Sequence, residues 1–118
     1  MKLIIAGSRN IDFISTIDLH EIIVSHFNPY PDVIICGMAR GPDLLGRAYG
    51  LQHNLVIEEY PALWDIHGKQ AGFIRNKLMG SKADCLLALW DGKSRGTKDM
   101  ILCMLHNDKP VHVELYQT

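Results

Sequence analysis

Five short apolar runs punctuate the chain: KLIIAG at Lys2–Gly7, DVIICG at Asp32–Gly37, NLVIEEY from Asn54, ADCLLALW at Ala83–Trp90 and KPVHVELY from Lys109. Segments with helical spacing separate them. In DFISTIDLHEIIVSHF the apolar positions Phe13, Ile14, Ile17, Ile22, Ile23 and Phe27 recur at roughly 3.6-residue intervals. PDLLGRAYGLQ predicts a second helix, with Pro42 suited to its first turn. HGKQAGFIRNKLMGSK predicts a third, starting after Gly68, with Ala71, Ile74, Leu78 and Met79 on one face. GTKDMILCMLHND predicts a fourth, with Met100, Ile101, Met104 and Leu105 inward.

Strands that lack polar alternation are buried on both faces, and intervening helices make right-handed crossovers. The expectation is a single Rossmann-like, doubly wound α/β domain over residues 1–118. It has a five-stranded parallel sheet in the order 3-2-1-4-5 with helices on both faces. A chain of 118 residues is one domain by size and buries roughly two-thirds of its unfolded surface.

Composition narrows the function classes. Hydrophobic content of 47% and charged content of 21% are ordinary for a globular domain. A net charge of −1 gives no general attraction to nucleic acid or acidic membranes, so any anion site is local. No apolar run is long enough for a membrane span, and the N-terminus reads as a strand rather than a signal peptide. Cys36, Cys85 and Cys103 are odd in number and widely spaced, as expected of reduced thiols in a cytoplasmic protein. The six histidines show no ligand-like spacing, so neither a metal nor a cofactor is expected.

In doubly wound folds ligands bind beyond the carboxyl ends of the strands, which directs attention to three loops. GSRN follows the first strand: Gly7 suits a tight turn, and Ser8 and Arg9 offer donors to phosphate or carboxylate. CGMARGPD follows the second, where Gly37 and Gly41 bracket Arg40 in an anion-nest spacing, and Asp43 suits a helix cap or a ribose hydroxyl. WDGKSRGT follows the fourth. Asp91 and Gly92 stand at the strand end, and Ser94, Gly96 and Thr97 at a helix start, where free amides suit a phosphate or the hydroxyls merely cap the helix. Neither the dinucleotide fingerprint nor the Walker loop is present. Arg75 and Asn76 sit between apolar positions of the third helix, unlike a simple solvated face. Trp64 is a candidate stacking residue and His67, near Asp65, a weaker candidate proton shuttle.

In combination, GSRN, CGMARGPDLLGRAYG, PALWDIHGKQAGFIRNKLM and ADCLLALWDGKSRGTKDMI resemble the YspA-type branch of the SLOG superfamily, from Lys2 to about Val113. GMARGPD is similar to the Gly-x-Ala-Arg-Gly-x-Asp loop of DNA-processing protein A, which handles single-stranded DNA. RNKLMGSKADCLLALWDGKSRGT resembles the matching region of lonely-guy cytokinin phosphoribohydrolases. That likeness implies a catalytic role for Arg75 and phosphate binding by Gly96 and Thr97. It also implies self-association as a homodimer or higher homo-oligomer. Two departures stand out. The enzymes' Pro-Gly is Trp90-Asp91 here, in a loop two residues longer, and their catalytic Glu is Met100. A thioether carries no proton, and Asp99, one residue away, points about 100° off. A carboxylate at Asp91 is the remaining candidate for a catalytic role beside Arg75.

Three functions follow as expectations. The first is binding or sensing of a nucleotide or nucleotide-derived phosphorylated ligand, with Arg9, Arg40 and Thr97 in one anion site. The second is hydrolysis of a nucleotide N-glycosidic bond, using Asp91 or Asp99 with Arg75. The third is single-stranded nucleic-acid binding, which the net charge disfavours.

Overall fold

A computed structural model describes residues 1–37 and 41–117. Five strands, β1 (Lys2–Gly7), β2 (Val33–Cys36), β3 (Val56–Glu59), β4 (Cys85–Trp90) and β5 (Val111–Leu115), form one sheet in the order β3-β2-β1-β4-β5. All four pairings are parallel. The doubly wound α/β architecture and strand order expected from the sequence are both present. No helix among the described residues is long and apolar enough to cross a membrane.

The central strand explains the layering. Successive side chains of a strand point to opposite faces, so Leu3 and Ile5 of β1 enter one core while Ile4 and Ala6 enter the other. The first core is covered by α1 (Thr16–His26) and α2 (Pro42–Gln52) through Leu19, Ile23 and Tyr49. The second is covered by α4 (Ala71–Lys82) and α5 (Arg95–His106), through Met79, Met100 and Met104; a short α3 (Trp64–His67) and a 3-10 turn, Gly68–Gln70, precede α4. The edges β3 and β5 carry polar residues within the strand, such as Glu58 and Glu59 or His112 and Glu114, whereas β1 has a charged residue only at its start, Lys2.

Three helical expectations need correction. The first helix begins only at Thr16, where Ser15 and Asp18 form a reciprocal capping box. That start leaves Phe13 outside the helix and turns Ile17 to solvent at 73% exposure; Ile23 and Phe27 are buried as expected, and Ile11 and Leu19 join them in the core. On α4 the inward stripe is Ala71, Asn76, Met79 and Gly80, while Ile74 and Leu78 stay nearly half exposed. On α5, Met100 and Met104 are fully buried but Leu105 is exposed.

Close approach of α2 to the sheet depends on two glycines one turn apart. A Cβ at Gly46 would lie 2.8 Å from Cβ of Ile5, and one at Gly50 would overlap the Ile57 side chain. The Ile5 Cβ is fixed to the central strand and cannot yield by rotamer change. Replacing Gly46 by Ala is therefore expected to destabilise the protein by about 1–3 kcal/mol, the cost of overpacking. That loss should appear although a helix interior favours alanine over glycine by about 1 kcal/mol. Urea unfolding measures it; a variant more stable than the parent would show that α2 has slack against β1.

Candidate functional site

The strand order reverses between β1 and β4, and there the carboxyl edge opens into a cavity of about 440 Å³. Its walls come from the loop after β1 (Ser8, Arg9, Asn10), from Asp43 on α2, from Arg75 and Asn76 on α4, and from Asp91, Ser94, Gly96 and Thr97. Ala6, Met79 and Met100 line it with apolar surface. The volume falls in the range of small-molecule sites.

The loops after β1 and β4 are stitched together. A Cβ at Gly7 would overlap the Leu89 carbonyl oxygen and crowd Pro42, so the strands approach this closely only because residue 7 is glycine. The Ser8 amide donates to the Leu89 carbonyl at 2.9 Å, and the buried Ser8 hydroxyl accepts from the Asp91 amide at 3.0 Å. Ser8 is thus a joint between loops, whereas Arg9 is exposed at the rim.

The stretch from Trp90 to Thr97 is built by its own side chains. Oδ1 of Asp91 accepts the amides of Lys93 and Ser94, each at 2.8 Å, and the Trp90 indole N–H donates to the Ser94 carbonyl at 3.1 Å. Gly92, at φ +82°, makes the turn and lines a smaller adjoining hollow with Asn10, Asp91 and Lys93 rather than the main cavity. Ser94 caps α5, its oxygen accepting the amide of Thr97 at 3.4 Å and the Thr97 hydroxyl at 3.2 Å. Of the two expectations for this segment, the helix cap is present. The Ser94 hydroxyl caps the helix, yet its hydrogen remains a donor. The amides of Arg95 and Gly96, in the first turn, have no acceptor within the helix by its geometry. Gly96 is exposed on the cavity wall, and a Cβ there would meet nothing within 4 Å.

Opposite stands α4. Asn76 is buried, and its amide nitrogen donates to the Gly96 carbonyl at 3.1 Å and to Oδ2 of Asp99 at 3.0 Å, tying α4 to the start of α5. Arg75 donates from Nη1 to the Gly37 carbonyl at 2.7 Å. Its Nε is buried and meets no acceptor among the described residues. Gly37 and Gly41 do not line the cavity. They make room for it: a Cβ on Gly37 would come within about 3.0 Å of both the Arg75 guanidinium and the Asp43 carboxylate. Gly41, at φ +78°, fits beneath the carbonyls of Ser8 and Arg9. The cap position of α2 is Gly41 and carries no side-chain cap bond, so Asp43 is not the cap; it is buried on the cavity wall in the first turn. Arg40 lies outside the described residues.

Trp64 is about half exposed on α3 and lines neither this cavity nor the neighbouring groove. His67 lines that groove, of about 240 Å³, with Tyr60, Leu63, Ile74 and Leu78; Arg75 borders both hollows. Asn10 and Met79 were not singled out by the sequence reading. Asn10 directly follows Arg9 in GSRN, and Met79 is one turn beyond Arg75, so adjacency along the loop and along the helix stripe was the available signal.

The hydrogen bonds around Asp91 set its charge. The amides of Ser94 and Lys93, with smaller help from the Ser8 and Asn10 side chains, hold its carboxyl below the usual 3.8. It is an anion at neutral pH, unsuited to donate a proton.

No family model matches the chain, and no solved structure matches it. Over 79 residues it is 38% identical to the Gene 61 protein of Mycobacterium phage D29, a stretch that takes in 62% of this chain and 63% of that protein. The chain thus spans less than two thirds of that relative's length.

A group with a depressed folded-state pKa contributes stability above its unfolded value, and that contribution is lost as pH falls through the folded value. Asp91→Asn keeps an oxygen for the two amides but removes the charge. The parent should therefore be the more stable at about pH 7, with the difference closing below about pH 4. Thermal unfolding of both proteins across this range checks it. A difference independent of pH would mean that shape, not charge, holds the turn.

Proposed function

We propose that the carboxyl-edge cavity binds a nucleotide or nucleotide-derived phosphorylated ligand. The observation that carries this reading is the Arg75 guanidinium, whose buried Nε lacks an acceptor among the described residues on a cavity wall shared with the first turn of α5. A buried cationic donor left in this state favours an anion. The first-turn amides and the Ser94 hydroxyl suit the same phosphate. Asp43 and Asp91 supply acceptors for sugar hydroxyls.

The likeness to the SLOG superfamily supports the same reading, and we infer membership on the motifs quoted above. Self-association would use the apolar flank that α4 leaves uncovered, Phe73, Ile74 and Leu78, with Leu63 and Ile66 nearby in sequence. The thiols of Cys36, Cys85 and Cys103 suit a reducing cytoplasm.

N-glycosidic hydrolysis is the second reading, because Asp91 and Arg75 line one cavity. Against it, Oδ1 of Asp91 is engaged by the turn, and Met100 is fully buried where the related enzymes carry a proton-transferring carboxylate. Binding of single-stranded nucleic acid is disfavoured by the net charge of −1.

Calorimetric titration with a panel of nucleoside mono- and diphosphates tests the proposal. Arg75→Ala should weaken binding by about 10- to 100-fold, the scale of about 1.5–3 kcal/mol for a hydrogen bond to a charged group. Gly96→Ala should leave the melting temperature unchanged or raised, since its Cβ meets nothing, yet weaken binding because the methyl enters ligand space. If no member of the panel binds, or both variants bind like the parent, the reading fails. Release of free base that disappears in Asp91→Asn would promote the hydrolase in its place.

A further inference from the structure

Two histidines and a glutamate that are far apart in sequence meet at the β5 edge of the sheet. His26 is the last residue of α1; His112 and Glu114 alternate along β5, on the face that looks toward α1. That orientation follows from register. His112 pairs with Leu87 and Glu114 with Leu89, and both leucines belong to the core that α1 covers. One oxygen, Oε1 of Glu114, lies 2.9 Å from Nε2 of His112 and 3.8 Å from Nε2 of His26. The two imidazoles stack with centroids 3.6 Å apart, and the Phe27 ring braces His112 edge-on at 6.4 Å.

We propose that His26, His112 and Glu114 form a binding site for a borderline divalent transition metal, zinc above all. Two imidazole nitrogens and one carboxylate oxygen are the donor set such ions select, whereas calcium and magnesium take oxygen alone. The three donor atoms already lie within 4.8 Å of one another. A tetrahedral ion with bonds of about 2.0–2.1 Å needs its donors roughly 3.3 Å apart. Rotation of side chains that are 29–41% exposed supplies this closure without moving the backbone. The exposed side of the cluster leaves the fourth position to water.

Such an ion clamps the carboxyl end of α1 to an edge strand whose one pairing partner is β4. None of the three residues lines the carboxyl-edge cavity, so the site is separate from the proposed ligand site. The sequence reading expected no metal because ligand spacing is a local signal. Here the spacing exists only after α1 and β5 have packed.

The test is calorimetric titration of the untagged full chain with Zn²⁺, and with Co²⁺ followed by its visible absorption. One equivalent per chain is expected, with a rise of several degrees in melting temperature at saturating ion. His26→Ala, His112→Ala and Glu114→Gln should each weaken binding at least tenfold. His53→Ala, which alters the second stacked histidine pair, His20 and His53, should leave it unchanged. Circular dichroism confirms that each variant is folded; Glu114→Gln, which keeps size and shape, answers for any that is not. Failure to bind at about 100 µM free Zn²⁺, binding that survives all three substitutions, or loss in His53→Ala overturns the proposal. Because neither the ions nor the variants involve the cavity, the outcome is independent of nucleotide binding.

Discussion

Contact between the carboxyl ends of β1 and β4 is the constraint on which the rest of the site depends. Gly7 has no Cβ to hold the Leu89 carbonyl away, so the Ser8 amide reaches that carbonyl and the Ser8 hydroxyl reaches the Asp91 amide. These two bonds bring the loops after β1 and β4 to one level at the point where the strand order reverses. A buried serine between them has both its amide and its hydroxyl engaged, as burial of polar groups requires. A side chain at residue 7 would part the strands, and Asp91, Ser94 and the start of α5 would no longer face Arg9 and Asn10.

The opposite wall depends on a second cross-link, Asn76 to Gly96 and Asp99. It explains how α4 carries a buried polar residue, Asn76, on its inward stripe. Arg75 and Asn76 occupy the face toward the sheet and the cavity, and the apolar Ile74 and Leu78 are carried round to the flank. Burying a polar pair there is acceptable because Asn76 finds two acceptors on α5 and Arg75 finds the Gly37 carbonyl. The flank so created is the apolar side of a second groove, and Arg75 borders both hollows. One helix therefore sets the site's cation and exposes the patch beside it.

The sheet was legible because fully apolar runs such as LIIA and CLLALW have few other fates in a chain of this size. The three loops were legible because glycines and donors cluster where each run stops. What could not be read locally was anything decided by packing partners. The start of α1 depends on the Ser15–Asp18 capping box, which outweighed the apolar spacing of Phe13 and Ile17. The inward face of α4 depends on acceptors offered by α5. The roles of Gly37 and Gly41, which make space rather than line the cavity, depend on where Arg75, Ser8 and Arg9 come to lie. The meeting of His26 with His112 and Glu114 depends on register between β4 and β5.

The state of each polar group also bears on the kind of chemistry the cavity suits. Ser8, Asp91, Ser94 and Asn76 hold the loops and helices in place through bonds that exist without a ligand. Donors left over among the described residues include the Arg75 Nε, the first-turn amides of α5 and the Ser94 hydroxyl hydrogen, with Arg9 exposed at the rim. All of them donate; none is placed to take a proton. Met100, fully buried beneath the cavity, neither gives nor accepts one. A bond-breaking step would instead need a group whose protonation changes, and Asp91, the nearest carboxylate to that role, is held as an anion by the turn it builds. The same hydrogen bonds that shape the cavity thus weigh against turnover of the proposed ligand.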